Sequence, residues 1–215
     1  VQAEILEFIA ERLHLLFTVE ENLPEQIHIA TFFREMLQEA RSAMDSREIV
    51  FKEVLDEGLE IRIERSVLSK VVAGLLKNAI ENTPDEGLIE LYAEKKEGAV
   101  YLEVRDCGVG VTAINSALIF GGFFHTQDTD LYSSKRPYQF NAGGAGADLL
   151  RIKVFSERFG FHVDFQTRRC PFIPTDTDLC PGRISKCSFV SDRQGCLTTG
   201  GSTFSVNFPL DVFTA

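Results

Sequence analysis

The sequence predicts an α/β fold, a two-layer sandwich in which one mixed sheet carries helices on one face. Three observations lead there. Apolar residues recur at helical spacing in three stretches before residue 83. Two alternating strands follow, joined by a tight turn. After one more helix, a second strand pair closes the chain. That order buries one face of a sheet under helices.

The elements justify themselves in turn. Residues 1–20 place Ile5, Leu6, Ile9, Leu13, Leu16 and Phe17 on one helical face. Leu23-Pro24 interrupts this helix, and a second is expected over 29–44, with Phe32, Phe33, Met36, Leu37 and Ala40 inward. Glu48–Leu55 and Leu59–Ile63 read as extended. Ser66 is expected to cap a helix running to Asn82, with Leu68, Val71, Val72, Leu75, Leu76 and Ala79 on its buried face. Leu88–Lys95 and Ala99–Asp106 are strands about a Glu97-Gly98 turn. Residues 107–142 lack periodicity except for a short helix over Ala113–Phe120; a loop of that length is usually functional. A helix lies within Gly143–Gly160, and Phe161–Thr167 and Ser202–Pro209 form the last strand pair.

The chain has 215 residues, 44% hydrophobic and 25% charged, enough for one packed domain with an appendage. Its net charge of −10 argues against a nucleic-acid partner, which needs a basic surface. No apolar run approaches a membrane span, and no signal peptide or initiating Met is present, so the sequence reads as a piece of a larger protein. Five cysteines without secretory features suggest a reducing, cytoplasmic compartment.

Three segments carry chemistry. In AVYLEVRDCGVG (99–110), Asp106 has the parity of Val100, Leu102 and Val104, which puts a carboxylate on the buried face at a strand end. Such a group needs a partner, and the exocyclic amine of adenine would serve. Gly108 and Gly110 let the backbone approach a ligand; an ordinary acidic turn is the plainer alternative. In VVAGLLKNAIENTP (71–84), Gly74, Asn78, Glu81 and Asn82 fall on one stripe away from the leucines. The Asn78 amide oxygen is a suitable hard ligand for Mg²⁺; a solvated helix face is the alternative. NAGGAGADLL (141–150) is a glycine-rich helix entry, suited to phosphate or to a hinge.

Together these segments resemble the catalytic domain of sensor histidine kinases, within the gyrase and histidine-kinase ATPase superfamily. LLKNAIENTP is similar to its N box, DCGVG to its first glycine box, IFGGFFHT (119–126) to the phenylalanine box of its lid, and NAGGAGADLL to its second glycine box. The resemblance implies a histidine kinase-like ATPase fold over 25–215, with residues 1–24 as the end of a dimerisation helix and linker. It implies Mg-ATP under a mobile lid and transfer of the γ-phosphate to a His on the dimerisation domain. A homodimeric parent and a response regulator are its implied partners. Asn78 matches the Mg²⁺ ligand, Asp106 the adenine-binding aspartate, Gly108, Gly110, Gly144 and Gly146 the glycine boxes, and Phe120, Phe123 and Phe124 the lid aromatics.

The sequence departs from that pattern at four places. Gly74 stands where relatives place Asn or Glu, Glu81 for a phosphate-contacting Lys, Asn82 for an aromatic or His, and Asp148 for a glycine. A carboxylate gained and a cation lost should weaken ATP binding unless Mg²⁺ or another cation compensates. Lys77, Lys135, Arg136 and Arg151 are the nearby cations, each otherwise a surface charge. Without a glutamate at 74, steady ATP hydrolysis is not expected. His14 sits in RLHLL, which lacks the acidic neighbour of a phospho-acceptor, so the acceptor is expected outside this sequence. A degenerate, non-catalytic module of the same fold and an anti-sigma-type serine kinase are the alternatives.

Residues 168–200 are an insert between the last two strands. Cys170, Cys180, Cys187 and Cys196 are separated there by nine, six and eight residues, with Pro171, Pro181, Gly182 and Gly195 beside them. A connection with so few large apolar groups needs a staple, and four thiolates suit Zn²⁺. An iron–sulfur cluster, disulfides or free thiols remain open, and Cys107 is assigned to the nucleotide turn instead.

Overall fold

The computed structural model describes residues 23–121, 136–142, 147–175 and 177–213. The expected helix over 1–20, with His14, lies outside them, as do Phe123, Phe124, Lys135, Gly144 and Gly146. Chain order is β1 (Glu25–His28), α1 (Ile29–Ala43), β2 (Val50–Leu55), β3 (Glu60–Ile63), α2 (Arg65–Asn82), β4 (Leu88–Lys96), β5 (Ala99–Asp106), α3 (Ala113–Ser116), α4 (Ala147–Phe159), β6 (His162–Arg168), α5 (Arg193–Leu197), β7 (Gly201–Pro209) and α6 (Leu210–Phe213).

The main sheet has the order β2-β4-β5-β7-β6. β2 runs parallel to β4, and every other pair is antiparallel, so the sheet is mixed. Register follows the alternation in sequence. Leu91 faces Val104, Ala93 faces Leu102, Val104 faces Phe204 and Leu102 faces Val206, all buried in the core shared with α1, α2 and α4. The other face is polar; there the Arg105 guanidinium lies over the Tyr92 ring at 4.1 Å. β1 and β3 form a separate antiparallel pair.

Several details differ from the sequence reading. β1 is a four-residue strand too short to show periodicity, and only its pairing with β3 makes it one. α2 begins one residue before Ser66: its N-cap is Glu64, with no side-chain capping bond, and the buried Ser66 hydroxyl has no partner among the described residues. The expected helix over 113–120 is four residues long. The terminal turn α6 was not foreseen; it places Phe213 in the core, 5.2 Å from Phe208. α2 ends at Thr83 because Pro84 forces the preceding residue out of helical dihedrals.

Candidate active site

The end of β5 meets the end of α2. Asp106 is buried, as its parity requires. Its Oδ1 accepts the Gly108 N–H at 2.9 Å and the Ser202 N–H of the neighbouring strand at 3.2 Å. Burial nevertheless pushes its carboxyl up to about 7, with the two backbone bonds pulling the other way. No described residue donates to Oδ2. Gly108 has no room for a side chain, since a Cβ there would lie 2.3 Å from the Asn82 carbonyl. Gly110 has φ +72° and equally little room, with the Arg168 carbonyl 2.1 Å from a Cβ position. The turn 106–110 is thus pressed against the C-terminus of α2.

On α2, Asn78 is half-buried and its side-chain oxygen accepts from Asn82 Nδ2 at 3.3 Å. Asn82 is exposed and also donates to the Asn78 carbonyl at 2.8 Å. These two amides form a polar edge beside the Asp106 turn. Residues 143–146, which precede α4, are not among the described residues.

Comparison with known proteins fits this geometry. The profile described as histidine kinase-, DNA gyrase B- and HSP90-like ATPase matches residues 63–212. The chain belongs to this family. Among its relatives, histidine protein kinase DivJ of Caulobacter vibrioides is 28% identical over 147 residues, covering 63% of this chain and 22% of that protein. Sensor protein CreC of Escherichia coli is 31% identical over 98 residues, covering 46% of this chain and 20% of that protein. The chain therefore spans about a fifth of the length of these relatives. The structure of full-length ShkA in complex with AMPPNP superposes with a TM-score of 0.63 at 20% identity, over 98% of this chain and 36% of that one.

Within the ATPase family frame, the departures have structural reasons. Gly74 shares the helix face of Asn78, but α4 covers that end of the stripe. It is buried where α4 crosses α2, and a Cβ there would meet Ile152 Cδ1 at 3.3 Å and Asp148 Cβ at 3.6 Å. Glu81 is buried as well, its Oε1 accepting the Tyr138 N–H at 3.1 Å while its carbonyl accepts from Asn141 at 2.7 Å. Desolvation raises its carboxyl pKa. Glu81 thus anchors the chain returning toward α4. Asp148 is bracketed by two cations, Lys77 Nζ at 2.9 Å and Arg151 Nη2 at 2.8 Å, so the extra carboxylate is compensated within the fold. Burial works against the Lys77 charge, but the charge and hydrogen bond of Asp148 hold its pKa above the ordinary lysine value. Arg136 is exposed. Phe120 packs edge-on against Phe165 and Phe204, at 6.4 Å from each, which is a core contact.

Two groups were missed from sequence. Arg47, before β2, is nearly buried and donates to Asp85 Oδ1 at 2.6 Å, the Ile80 carbonyl at 3.2 Å, the Tyr138 carbonyl at 2.7 Å and the Thr83 carbonyl. It neutralises the C-terminus of α2 and ties it to the 136–142 segment. Ser202 and Thr167, whose hydroxyls lie 3.2 Å apart, back the Asp106 turn, and Thr167 Oγ1 also accepts the Val111 N–H at 2.9 Å. Only the β5–β7 register, which sets Asp106 opposite Ser202, reveals their role.

The insert packs directly behind the turn. The Cys170 N–H donates to the Val109 carbonyl at 2.7 Å, and Arg169 Nη1 to the Gly110 carbonyl at 2.8 Å. Cys170, Cys180, Cys187 and Cys196 line one cavity together with Cys107, which is therefore common to the turn and the thiol group. Among the described residues no group of three or more His, Cys, Asp or Glu side chains is arranged to hold a metal ion as those side chains lie. The expected zinc ligand set is thus gathered around a cavity without being assembled at one point.

Proposed function

We propose that the chain is the ATP-binding catalytic domain of a two-component sensor histidine kinase, passing the ATP γ-phosphate to a His on a dimerisation helix of the parent protein. The observation that carries this reading is the contact of the Asp106–Gly110 turn with the end of α2, which sets a buried carboxylate beside the Asn78 and Asn82 amides. Asp106 would accept from the adenine amine through Oδ2 while Oδ1 stays on Gly108 and Ser202. Mg²⁺ would arrive with the nucleotide and take the Asn78 oxygen, screening the triphosphate charge. Gly144 and Gly146 would serve the phosphates, and Phe124 the lid. The names of DivJ and CreC and the AMPPNP in the ShkA complex support the reading. A homodimeric parent, a response regulator and a cytoplasmic position complete it; among the described residues no helix is long and apolar enough to cross a membrane. The net charge of −10 is the ground for proposing no nucleic-acid partner.

Calorimetry with ATP and GTP tests the site. Mg²⁺-dependent ATP binding with weak or no GTP binding is expected, and Asn78→Ala should remove the Mg²⁺ dependence. Equal affinity for GTP, or no binding at millimolar ATP, would overturn the adenine assignment. A second reading, a nucleotide-binding module without transfer, is favoured by Gly74 and Glu81, both buried away from the polar edge. It predicts binding with no phosphorylation of the parent.

A further inference from the structure

The insert between β6 and β7 is held at its rim by charge and backbone bonds. Arg183 reaches Glu86 Oε1 at 2.9 Å and pairs with Glu48, Ser185 N–H donates to Glu86 Oε2 at 2.7 Å, and the Asp85 N–H donates to the Gly182 carbonyl at 2.9 Å. Its interior has much less. Ile173 and Ile184 are its only buried apolar side chains among the described residues, while Phe172, Leu179 and Phe189 stay exposed. Its regular structure amounts to the 3-10 turn Ile184–Lys186 and the five residues of α5. A segment of that size cannot hold its interior by apolar burial alone.

What fills that interior is sulfur. All five cysteines of the chain line a single cavity of about 30 Å³, walled by Ile173, Ile184 and Val190. A space of that order holds one ion or one water. We propose that Cys170, Cys180, Cys187 and Cys196 form a structural Zn²⁺ site that staples the insert against the glycine turn of the nucleotide site. Four thiolates match the tetrahedral preference of Zn²⁺. No three of the sulfurs form a ligand set as they lie, so ligation requires their side chains to move inward within the cavity they share. Cys107 is left outside the ligand set because it belongs to the glycine turn, where its sulfur accepts the Leu88 N–H at 3.0 Å. Zinc binding here is independent of nucleotide turnover, so its failure leaves the kinase reading intact and the reverse holds too.

The experiment is elemental analysis of protein purified without added metal, followed by calorimetric titration of metal-free protein with Zn²⁺. About one zinc per chain, as isolated or after titration, is expected, with no visible absorption from iron and sulfide. A thiol-modifying reagent applied to the native protein should release that zinc in step with the modification. Cys180→Ser and Cys196→Ser should each weaken zinc binding at least tenfold, and Cys107→Ser should retain it. Should those variants not fold, the release experiment on the wild-type protein decides by itself. Protein that neither contains nor takes up zinc, two disulfides in freshly purified protein, an iron–sulfur chromophore, or zinc that persists in the Cys180→Ser/Cys196→Ser double variant would each overturn the site.

Discussion

Asp106 carries two opposed demands. As the proposed adenine partner it sits on the apolar face at the end of β5, and as a charge it resists that position. Its folded pKa of about 7 lies above the ordinary aspartate value near 4, so between those pH values the folded chain holds a proton that the unfolded chain has released. The stability linked to this group is therefore present in acid and lost as pH rises through about 7. Asp106→Asn, which keeps an oxygen for the Gly108 and Ser202 N–H groups, should flatten that part of the pH–stability profile. It should also raise stability at pH 8 by about 1–3 kcal/mol while weakening ATP binding. Thermal melts from pH 5 to 8 check the first effect; an unchanged profile would mean that the group is not the buried acid described. Asp148 poses the complementary case. Asp148→Asn frees Lys77 and Arg151 from a half-exposed pair, which costs about 1 kcal/mol or less of stability. Two unpaired cations, Lys77 on α2 and Arg151 on α4, should then tighten ATP binding by roughly tenfold, equivalent to about 1.4 kcal/mol. Unaltered affinity would place those cations away from the phosphates.

At the scale of elements, α2 and α4 cross at a glycine. Gly74 allows Ile152 and Asp148 to pack directly on α2. Gly74→Asn, which restores the residue type of the resembled N box, should overpack this crossing and cost about 1–3 kcal/mol in denaturant melts. A neutral or stabilising result would show that α4 shifts without cost. The same crossing covers one end of the N-box stripe. Helical geometry assigns residue 74 to the stripe of 78, 81 and 82, but the periodicity does not say which neighbouring element covers each end of it. The strands were more legible, because β4, β5 and β7 alternate over eight or nine residues and each is half-covered. β1, with four residues, and the caps of α2 were not, since they depend on a partner strand and on the carbonyls that Arg47 reaches.

At the scale of the whole molecule, the proposed phosphoryl transfer would need a second domain. Its chemistry rests on positioning and charge stabilisation more than on a protein base, so the missing polarity at Gly74 does not preclude it. With ATP and Mg²⁺, the full-length parent should acquire acid-labile, base-stable phosphate on a His of its dimerisation helix. The chain described here should acquire none, and phosphate on it would contradict the proposed division of labour. A parent that binds ATP but stays unphosphorylated would favour the non-catalytic module. The sequence by itself determined the mixed α/β sandwich, the family boxes in order and the burial of Asp106, because period-2 and period-3.6 patterns are local consequences of backbone geometry. Only the tertiary structure decided that Gly74 is a packing residue, that Glu81 anchors the 136–142 segment, that Lys77 and Arg151 neutralise Asp148, and that five cysteines separated by up to 89 positions face one cavity. Each of these depends on which distant segment comes to lie against a residue, and that follows from packing whole elements together, which local periodicity does not encode.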